Sequence, residues 1–291
     1  MPTSGSPTVR RRRLAAELRG LRVRTGKTAE DVGKTLGWSK AKISRYELAQ
    51  GGLKPAEVAK LLDYYGVQGS HREQLLALAN DAADKGWWES YSDDLTEGHL
   101  EFIGLEAEAT SILEWQINVV PGLLQIEQYA RAVLSGYNEV ATISPKAIER
   151  RLATRLTRQQ LLIRDEPLEY VALLDESVLY RQRGDPSVMH TQLQRLADVF
   201  ELRNVTIQIL PLERNHGLAV DSFSILKFGK AHETTLHDVV SLEHLNNEFY
   251  VEGDTDTHKF MLAFNHLTKE SLSPSESRDL ILTTSRKLWN T

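Results

Sequence analysis

TAEDVGKTLGWSKAKISRYE, residues 28–47, is the stretch that decides the fold of the first part of the chain. Thr28 stands where a helix N-cap is expected, with Asp31 at the third helical position as in a capping box. Gly37 supplies a break, and Ser39 can cap a second helix. The stretch therefore predicts two short helices joined by a tight turn.

The second of these helices has an apolar inner side and a polar outer side. Ile43 can anchor it inward, while Lys40, Ser44 and Arg45 point outward. Such a helix suits the major groove of double-stranded DNA, where base edges meet hydrogen-bond donors. The groups that can reach phosphates are the Lys42 side chain and the backbone N–H groups near Thr28 and Ala29.

Apolar residues at helical spacing flank this pair of helices on both sides. A first helix carries the leucine stripe Leu14–Leu21, a fourth begins at Pro55, and a fifth begins near Ser70. Residues 10–85 are therefore predicted to form an all-α domain of five helices. Residues 1–9, which are small and polar, are predicted to be a disordered N-terminal segment.

The charge of the chain is divided between its two parts. Residues 1–66 hold 14 Lys and Arg against six Asp and Glu, a net charge of +8, although the whole chain carries −5. The remaining residues therefore carry −13. A basic first part indicates a polyanionic partner, and the acidic remainder argues against nucleic-acid binding along the whole length.

The composition limits the compartment and the chemistry. The 291 residues include no cysteine, which excludes disulfides and thiolate metal sites, and 41% of them are hydrophobic, as in an ordinary globular protein. No apolar run approaches the roughly 18 residues that span a bilayer, and the first residues lack the apolar core of a secretory signal. We therefore expect a cytoplasmic protein with no membrane partner.

The segment TAEDVGKTLGWSKAKISRYELAQGGLKP, residues 28–55, resembles the Cro/repressor-type helix-turn-helix proteins, the xenobiotic-response-element (XRE) family with its lambda-repressor-like fold. The resemblance covers roughly residues 11–80. It implies a salt bridge between Arg22 and Glu47, and it implies that the outward residues of the second helix face the bases. The pattern of the two helices and this resemblance together predict the DNA-binding residues, which are Thr28, Ser39, Lys40, Ala41, Lys42, Ser44 and Arg45. The family often has Gln where this chain has Ala29, so one common contact is missing.

The run Arg10–Arg13 leaves two interpretations open. It can be an arm that binds phosphates, or it can be merely solvated. For the whole domain, the alternative to DNA binding is a helical bundle with a solvated basic surface. The agreement of the caps, the turn, the inward Ile43 and the charge division favours DNA binding.

Residues 86–291 mix helices with strands, which makes the fold class α+β. Trp87 and Trp88 in an acidic stretch predict a connector over 86–104, followed by a mixed α/β regulatory domain over 105–291. Helices are predicted over 104–114, 123–135, 144–164, 186–201 and 256–284. Strands are predicted over Leu168–Leu174, Val205–Leu210, Ser222–Phe228 and Val239–Leu245.

Several blocks of this part resemble the C-terminal domain that is common in actinobacterial regulators. They include GLEAEATSILEWQINVVPGLLQIEQYARAVL over 104–134, LDESVLYRQRG and SLSPSESRDL. The family usually has Thr where this chain has Ile126, a change that is conservative in size. Those regulators are encoded beside small partner proteins and are likened to antitoxins. The resemblance therefore implies sensing or partner binding rather than catalysis.

Glu106 is the most informative ionisable residue of this part, because it lies in an otherwise apolar stretch. It can line a pocket, or it can pair with Arg151, Arg155 or Arg158 on another helix, and the pairing is the favoured interpretation. The residues of a candidate ligand or partner pocket are Glu106, Trp115, Leu124, Gln125 and Tyr129. Whether they form an apolar pocket or a dimer surface is left open.

Catalytic patterns are weak. Asp175 and Glu176 follow a strand and could serve in acid–base chemistry, but a strand end or a helix cap is the favoured interpretation. The histidines from His190 onward have no metal-binding spacing. The sequence also contains no Gly-rich phosphate loop or nucleophile elbow. It therefore predicts no metal, no cofactor and no enzyme.

These observations predict a sequence-specific DNA-binding transcription regulator, a repressor that binds double-stranded DNA as a homodimer. One recognition helix reads only a few base pairs, and two half-sites multiply specificity. The second part would provide dimerisation and a response to a small partner protein or a small-molecule effector. The alternative is an antitoxin-like protein that sequesters the small product of an adjacent gene and autoregulates its operon. An enzyme fused to a DNA-binding domain is the third and least favoured class.

Overall fold

The computed structural model describes residues 7–50, 54–82, 86–140, 143–214, 217–229, 237–245 and 247–289. These residues form two compact units. The first unit holds the described residues up to Glu89 together with Phe228 and Gly229, and the second holds the rest. Helices build the described part of the first unit, and a mixed sheet with helices builds the second, so the fold is α+β.

Five α-helices form the described part of the first unit. Their bounds are α1 (Pro7–Arg24), α2 (Ala29–Leu36), α3 (Lys40–Glu47), α4 (Pro55–Tyr64) and α5 (Gly69–Asp81). They enclose one apolar core, to which α1 contributes its leucine stripe, α2 contributes Val32 and α3 contributes Ile43. The predicted five-helix domain with a central helix-turn-helix is thereby confirmed.

Two glycines make the turn between α2 and α3 possible. Gly37 has a φ of 69°, in the left-handed region that glycine adopts without strain. Gly33 lies within α2, and a Cβ at this position would come within 2.6 Å of the carbonyl oxygen of Trp38. The backbone of the turn therefore packs directly on α2, which sets the direction in which α3 leaves the turn.

Helix α1 begins earlier than the sequence analysis predicts. The helix includes residues 7–9, and Val9 is fully buried, so the prediction of a disordered segment over 1–9 is wrong for these three residues. Val9 gives the helix an apolar anchor that the otherwise polar composition hides. Residues 1–6, the glycine pair Gly51 and Gly52, and residue 85 lie outside the described residues.

Six α-helices and six strands form the described part of the second unit. The helices are α6 (Glu97–Glu108), α7 (Glu127–Gly136), α8 (Pro145–Arg158), α9 (Pro186–Val199), α10 (Asp254–Glu270) and α11 (Pro274–Thr284). The strands are β1 (Ser111–Gln116), β2 (Glu169–Asp175), β3 (Val205–Leu210), β4 (Phe223–Lys227), β5 (Val239–Glu243) and β6 (Glu248–Glu252). None of the helices in the described part of the chain is long and apolar enough to cross a membrane.

The strands form a single sheet in the order β3-β2-β1-β4-β5-β6. The neighbours β1, β2 and β3 run parallel, whereas β4, β5 and β6 pair antiparallel. On one face the cross-strand row Leu113, Ile225 and Val240 packs with Phe264 of α10 in an apolar core. Because successive side chains alternate between faces, the neighbouring row Glu114, Ser224 and Ser241 lies on the opposite face.

The largest error of the sequence analysis concerns 104–114, which was predicted to be one helix. The structure ends α6 at Glu108 and places β1 (Ser111–Gln116) in the middle of the sheet. A strand that is covered on both faces lacks the alternation of apolar and polar residues by which strands are recognised. The expected strands β2 to β5 are present within two residues of their predicted ends.

Three smaller corrections concern element boundaries. The expected connector over 86–104 contains a short 3-10 helix, Trp87–Tyr91, and also the first half of α6. The predicted C-terminal helix over 256–284 is two helices, since the chain turns before Pro274 and restarts with Ser273 as N-cap. The edge strand β6 was not predicted, because its short sequence begins and ends with glutamates.

Candidate functional site

Helix α3 presents one side to the core and the other side to solvent. Ile43 is 1% exposed, whereas Lys40, Ala41 and Arg45 are exposed and Ser44 is half-buried. Residues spaced by four positions lie on the same side of a helix, so these four outward residues form one stripe. We call it the recognition stripe. The structure thus brings the predicted base-facing residues together on one surface.

Both helices of the motif begin at their predicted caps. The Ser39 hydroxyl accepts a hydrogen bond from the backbone N–H of Lys42 at 3.2 Å. The Asp31 N–H donates to Thr28 Oγ1 at 3.2 Å, and the Thr28 N–H donates to Asp31 Oδ2 at 2.9 Å, which completes a capping box. The hydrogen bonds from Thr28 also lower the pKa of Asp31. Thr28 and Ser39 are exposed, so a phosphate can approach both helix starts.

Arg22 and Glu47 form the ion pair that the family resemblance implies. The Arg22 guanidinium binds the carboxylate in a two-pronged manner, with Nε–Oε1 at 2.6 Å and Nη2–Oε2 at 2.9 Å. The hydrogen bond to Glu47 raises the pKa of Arg22. Arg22 Nη1 also donates to the carbonyl oxygen of Lys27 at 2.8 Å. The pair fastens the end of α3 to α1 and so fixes the recognition stripe on one side.

Lys42 holds α3 from the other side, and this differs from the predicted phosphate contact. Its Nζ lies 2.6 Å from Glu57 Oε1 on α4 and 4.2 Å from the ring centroid of Trp38. Tyr46 donates its hydroxyl to the other oxygen of Glu57. Lys42 is therefore neutralised within the domain, and its predicted role shifts from binding phosphate to bracing the helix.

Glu57 is the acceptor at the centre of this cluster of Trp38, Lys42, Tyr46 and Glu57. The hydrogen bonds from Lys42 and Tyr46 lower the pKa of Glu57. Burial and the bond to Glu57 raise the pKa of Tyr46, so its hydroxyl stays protonated and remains a donor. The sequence analysis missed Glu57. The four-residue spacing of Trp38, Lys42 and Tyr46 places those three on one side of the chain but does not identify their partner on α4.

The arginine run at the start of α1 is built into the first unit. Arg10 and Arg13 are buried, at 8% and 3% exposure. Arg10 Nη1 donates to the carbonyl oxygen of Asp81 at 3.1 Å, and Arg13 Nη2 donates to that of Gly229 at 2.8 Å. Arg11 pairs with Glu89 at 3.2 Å. These contacts contradict both open interpretations for Arg10, Arg11 and Arg13, since the side chains are neither a free arm nor merely solvated.

In the second unit, Glu106 pairs with Arg158, one of the three arginines considered. The pair is two-pronged and buried, with Nε–Oε2 at 2.6 Å and Nη2–Oε1 at 2.7 Å. The nearby negative charge of Glu106 raises the pKa of Arg158 against the effect of burial. The favoured interpretation of Glu106 as a structural partner is therefore confirmed, and it joins α6 to α8.

The five predicted pocket residues do not form a single pocket. Trp115 lies in the apolar core under α10, on the other face of the sheet from Glu114. Leu124 and Tyr129 are fully buried, and the Tyr129 hydroxyl accepts from the N–H of Val120 at 3.2 Å. Of the five, Gln125 alone lines the large cavity of this unit. The sequence places these residues near one another in the chain, but strand alternation sends Trp115 to the opposite side.

Asp175 serves as a helix cap, as the favoured interpretation predicts, whereas Glu176 binds the segment that follows β3. Asp175 Oδ1 accepts from the N–H of Ser177 at 2.9 Å at the start of a 3-10 helix. Glu176 Oε2 accepts from the N–H of Leu212 at 2.9 Å. Within the described part of the chain, no group of three or more His, Asp and Glu side chains could hold a metal ion.

A helix-turn-helix domain with an exposed recognition stripe, followed by a separate mixed-sheet domain, defines a DNA-binding regulator. Residues 13–75 match the family model described as "Helix-turn-helix domain". Residues 100–283, more than half of the chain, match the family described as "Domain of unknown function (DUF5753)", and the chain belongs to this family. No curated protein and no solved structure matches the chain.

Proposed function

We propose that the protein is a sequence-specific transcriptional repressor of the XRE type, which binds its operator through α3. The observation that carries the proposal is the bracing of this helix. The Arg22–Glu47 pair holds α3 to α1, and the Lys42–Glu57 contact holds it to α4. A rigid helix with outward Lys40 and Arg45 is what readout of the major groove requires, because bidentate contacts to base edges tolerate little movement.

The proposal includes binding as a dimer. The recognition stripe is four residues of one short helix, which can contact only a few base pairs. Two copies on half-sites about one helical turn apart would supply the specificity that one copy lacks. We favour repression over activation, because a protein that is bound to its operator blocks access of other proteins to that DNA.

The test is selection of bound sequences from a random duplex library by the full chain, followed by affinity measurements over a range of salt. Arg45→Ala and Lys40→Ala should each weaken binding to the selected site by about 5- to 150-fold, the equivalent of 1–3 kcal/mol. Arg203→Ala and Lys60→Ala are charge-matched controls on other exposed surfaces, and they should leave the affinity within about twofold. Unchanged affinity in both α3 variants would refute the assigned recognition helix.

Stoichiometry tests the dimer separately. Sedimentation of the complex should show two chains on one selected duplex, and the selected sequence should contain two related half-sites. One chain per duplex with a single unrepeated site would contradict the dimer while leaving the recognition helix standing.

We further propose that the second unit makes DNA binding conditional, with a small partner protein or a small-molecule effector as the signal. The acidic character of the chain beyond residue 66, with a net charge of −13, supports a partner other than DNA. In this form the protein is antitoxin-like rather than an enzyme, and we place it in the cytoplasm.

That role has its own test. Purification of the chain expressed together with the products of adjacent genes should recover a small protein in a fixed ratio, with altered operator affinity in its presence. Recovery of the chain alone, with operator binding insensitive to those products, would remove the partner-binding role. Turnover of a substrate by the full chain would instead favour an enzyme.

A further inference from the structure

A cavity of about 540 Å³ lies between the sheet and the helices of the second unit. Helices α6, α7 and α8 form one wall, and strands β1, β4 and β5 form the floor. The segment between β1 and α7 supplies Asn118, Val119, Pro121 and Gly122. This volume is in the range of cavities that hold small molecules, and it lies entirely within one unit.

The floor of the cavity is polar. Glu114, Ser224 and Ser241 are buried and stand side by side across β1, β4 and β5. A sheet face that is covered by helices normally carries apolar side chains, because burial of polar groups is unfavourable unless they are paired. The opposite face of the same strands follows that rule. The row of Glu114, Ser224 and Ser241 differs from its apolar counterpart on the opposite face and lines the cavity, as in a site for a polar ligand.

Two of the acidic groups around the cavity are already satisfied by neutral donors or by a histidine. Glu114 accepts from the Tyr170 hydroxyl at 2.5 Å and from Gln116 Nε2 at 2.9 Å, and burial raises its pKa. Glu248 lies 2.7 Å from His99 Nδ1. Glu243 also lines the cavity and is exposed, and its negative charge is the largest of the influences that raise the pKa of Arg155.

Three arginines line the cavity, and they differ in their partners. Arg158 is neutralised by Glu106. Arg155 donates from Nη1 to Gln125 Oε1 at 2.8 Å, which is a neutral amide rather than a carboxylate. Burial, followed by the charge of Arg158, lowers the pKa of Arg155 to about 10, so it is still a cation at neutral pH. Arg183 has a buried Nε with no hydrogen-bond partner among the described residues.

The local backbone holds the guanidinium groups close together. Gly122 lies beneath them, and a Cβ at this position would be 3.7 Å from Arg158 Nη1 and 3.8 Å from Arg155 Nε. Gln125 is buried and donates from Nε2 to the carbonyl oxygen of Val120 at 2.6 Å, so its amide oxygen is turned towards Arg155. Gln125 therefore acts as a positioning residue for this arginine.

We propose that this cavity binds a small organic anion, with its oxyanion group held by Arg155 and Arg183 and its apolar part against Phe102 and Tyr137. Planar guanidinium groups suit carboxylate and phosphate oxygens, since their N–H donors match the spacing of two oxygens. The remaining lining side chains of α7 are the apolar Ala132 and Val133. The binding stands on the cavity alone, while the role of the anion as an effector rests on the proposed function.

The test uses anilinonaphthalene sulfonate as a fluorescent organic anion and phenylnaphthylamine as the matching uncharged probe, both with the full chain. The sulfonate should bind in a one-to-one ratio. Arg155→Met and Arg183→Met should each weaken it by about tenfold or more, because a charge-assisted hydrogen bond is lost. Arg155→Lys should retain part of the affinity, and the exposed control Arg203→Met should leave it unchanged. The affinity for the uncharged probe should differ by no more than about twofold among these variants.

Displacement of the sulfonate from the unaltered protein by inorganic phosphate, at constant ionic strength set with chloride, gives a second reading that needs no variant. Equal sulfonate affinity in both methionine variants and the control, or no displacement by phosphate, overturns the proposal. Operator binding by the same proteins separates the two questions. Arg45→Ala should lose the operator and keep the sulfonate, whereas Arg155→Met should keep the operator in the absence of any anion.

Discussion

Each unit has one arginine in an ion pair with a glutamate and a second arginine that is proposed to bind a ligand. In the first unit the second arginine lies on the outer surface, and in the second unit it lines a cavity. In the first unit Arg22 forms an ion pair with Glu47, while Arg45 is exposed on the outer side of α3. In the second unit Arg158 forms a buried ion pair with Glu106, while Arg155 lines a cavity and donates to the side-chain amide of Gln125. The comparison teaches that in each unit a two-pronged pair with a glutamate fixes one arginine in the fold, and that the arginine proposed to bind a ligand is a different one.

The largest effect is expected where a paired arginine loses its partner. Glu106→Ala leaves the Arg158 charge buried and uncompensated, so the free energy of unfolding of the second unit should fall by about 3–5 kcal/mol. Urea denaturation of the full chain, followed by tryptophan fluorescence, measures this change. Arg155→Met is the matched variant and should lower the free energy of unfolding by about 1 kcal/mol or less. If Arg155→Met lowers the free energy of unfolding as much as Glu106→Ala does, then Arg155 supports the fold as Arg158 does, and the distinction between the two arginines is wrong.

The next effect concerns the backbone that carries the recognition stripe rather than its charges. Gly33→Ala would place a Cβ 2.6 Å from a backbone oxygen of the turn. The first unit should therefore lose about 2–3 kcal/mol and its operator affinity together.

Gly20→Ala, in the same unit, is the control for this change. Its Cβ would meet only the flexible end of Arg24 at 3.2 Å, and it should stabilise α1 by up to about 1 kcal/mol. Equal behaviour of the two glycine variants in thermal unfolding would show that the close approach of α2 and the turn is not required.

A third effect tests the bracing of α3 by pH. The pKa of Glu57 is lowered in the folded state, so its contribution to stability is present above its ordinary pKa and is lost as the pH falls through the lowered value. Glu57→Gln should therefore lower the urea midpoint at pH 7 by an amount corresponding to about 1 kcal/mol, and the difference should shrink towards pH 3. A difference that is constant over this range would show that the carboxylate charge plays no part.

The smallest effect on stability is expected from a backbone change that removes no positively charged side chain. Ala49 follows α3 with a φ of 56°, in the left-handed region that is unfavourable for alanine. Ala49→Gly relieves this strain and should stabilise the first unit by about 1 kcal/mol in thermal unfolding. Operator affinity should be unchanged because the recognition stripe keeps its charges. A loss of stability would mean that the alanine methyl group makes a compensating contact.

The first unit could be predicted almost completely from the sequence, because local signals decide its structure. Thr28 and Ser39 are caps, Gly37 makes the break, and the apolar spacing of α1 identifies its buried side. What could not be predicted is which charges are neutralised. Lys42 looks like a phosphate ligand in the sequence, but its partner Glu57 lies on another helix, and pairing across helices depends on tertiary packing.

The second unit was harder to predict because its site is assembled from distant segments. The pairing of Glu106 with an arginine was foreseen from one charge in an apolar stretch. The cavity was not, since Arg155, Arg183 and the row of Glu114, Ser224 and Ser241 meet only when β1 enters the sheet. The predicted helix over 104–114 took in four of the six residues of β1, and so the alternation that places Trp115 and Glu114 on opposite faces of the sheet was not recognised.

The central claim is that the recognition stripe of α3 reads DNA sequence. The most direct measurement is the base preference of the full chain at each position of its selected site, compared with that of Arg45→Ala. We predict that the variant loses preference at one base pair in each half-site, worth about 1–3 kcal/mol, and keeps the preferences elsewhere. A profile that weakens uniformly at all positions, or does not change, would contradict the claim.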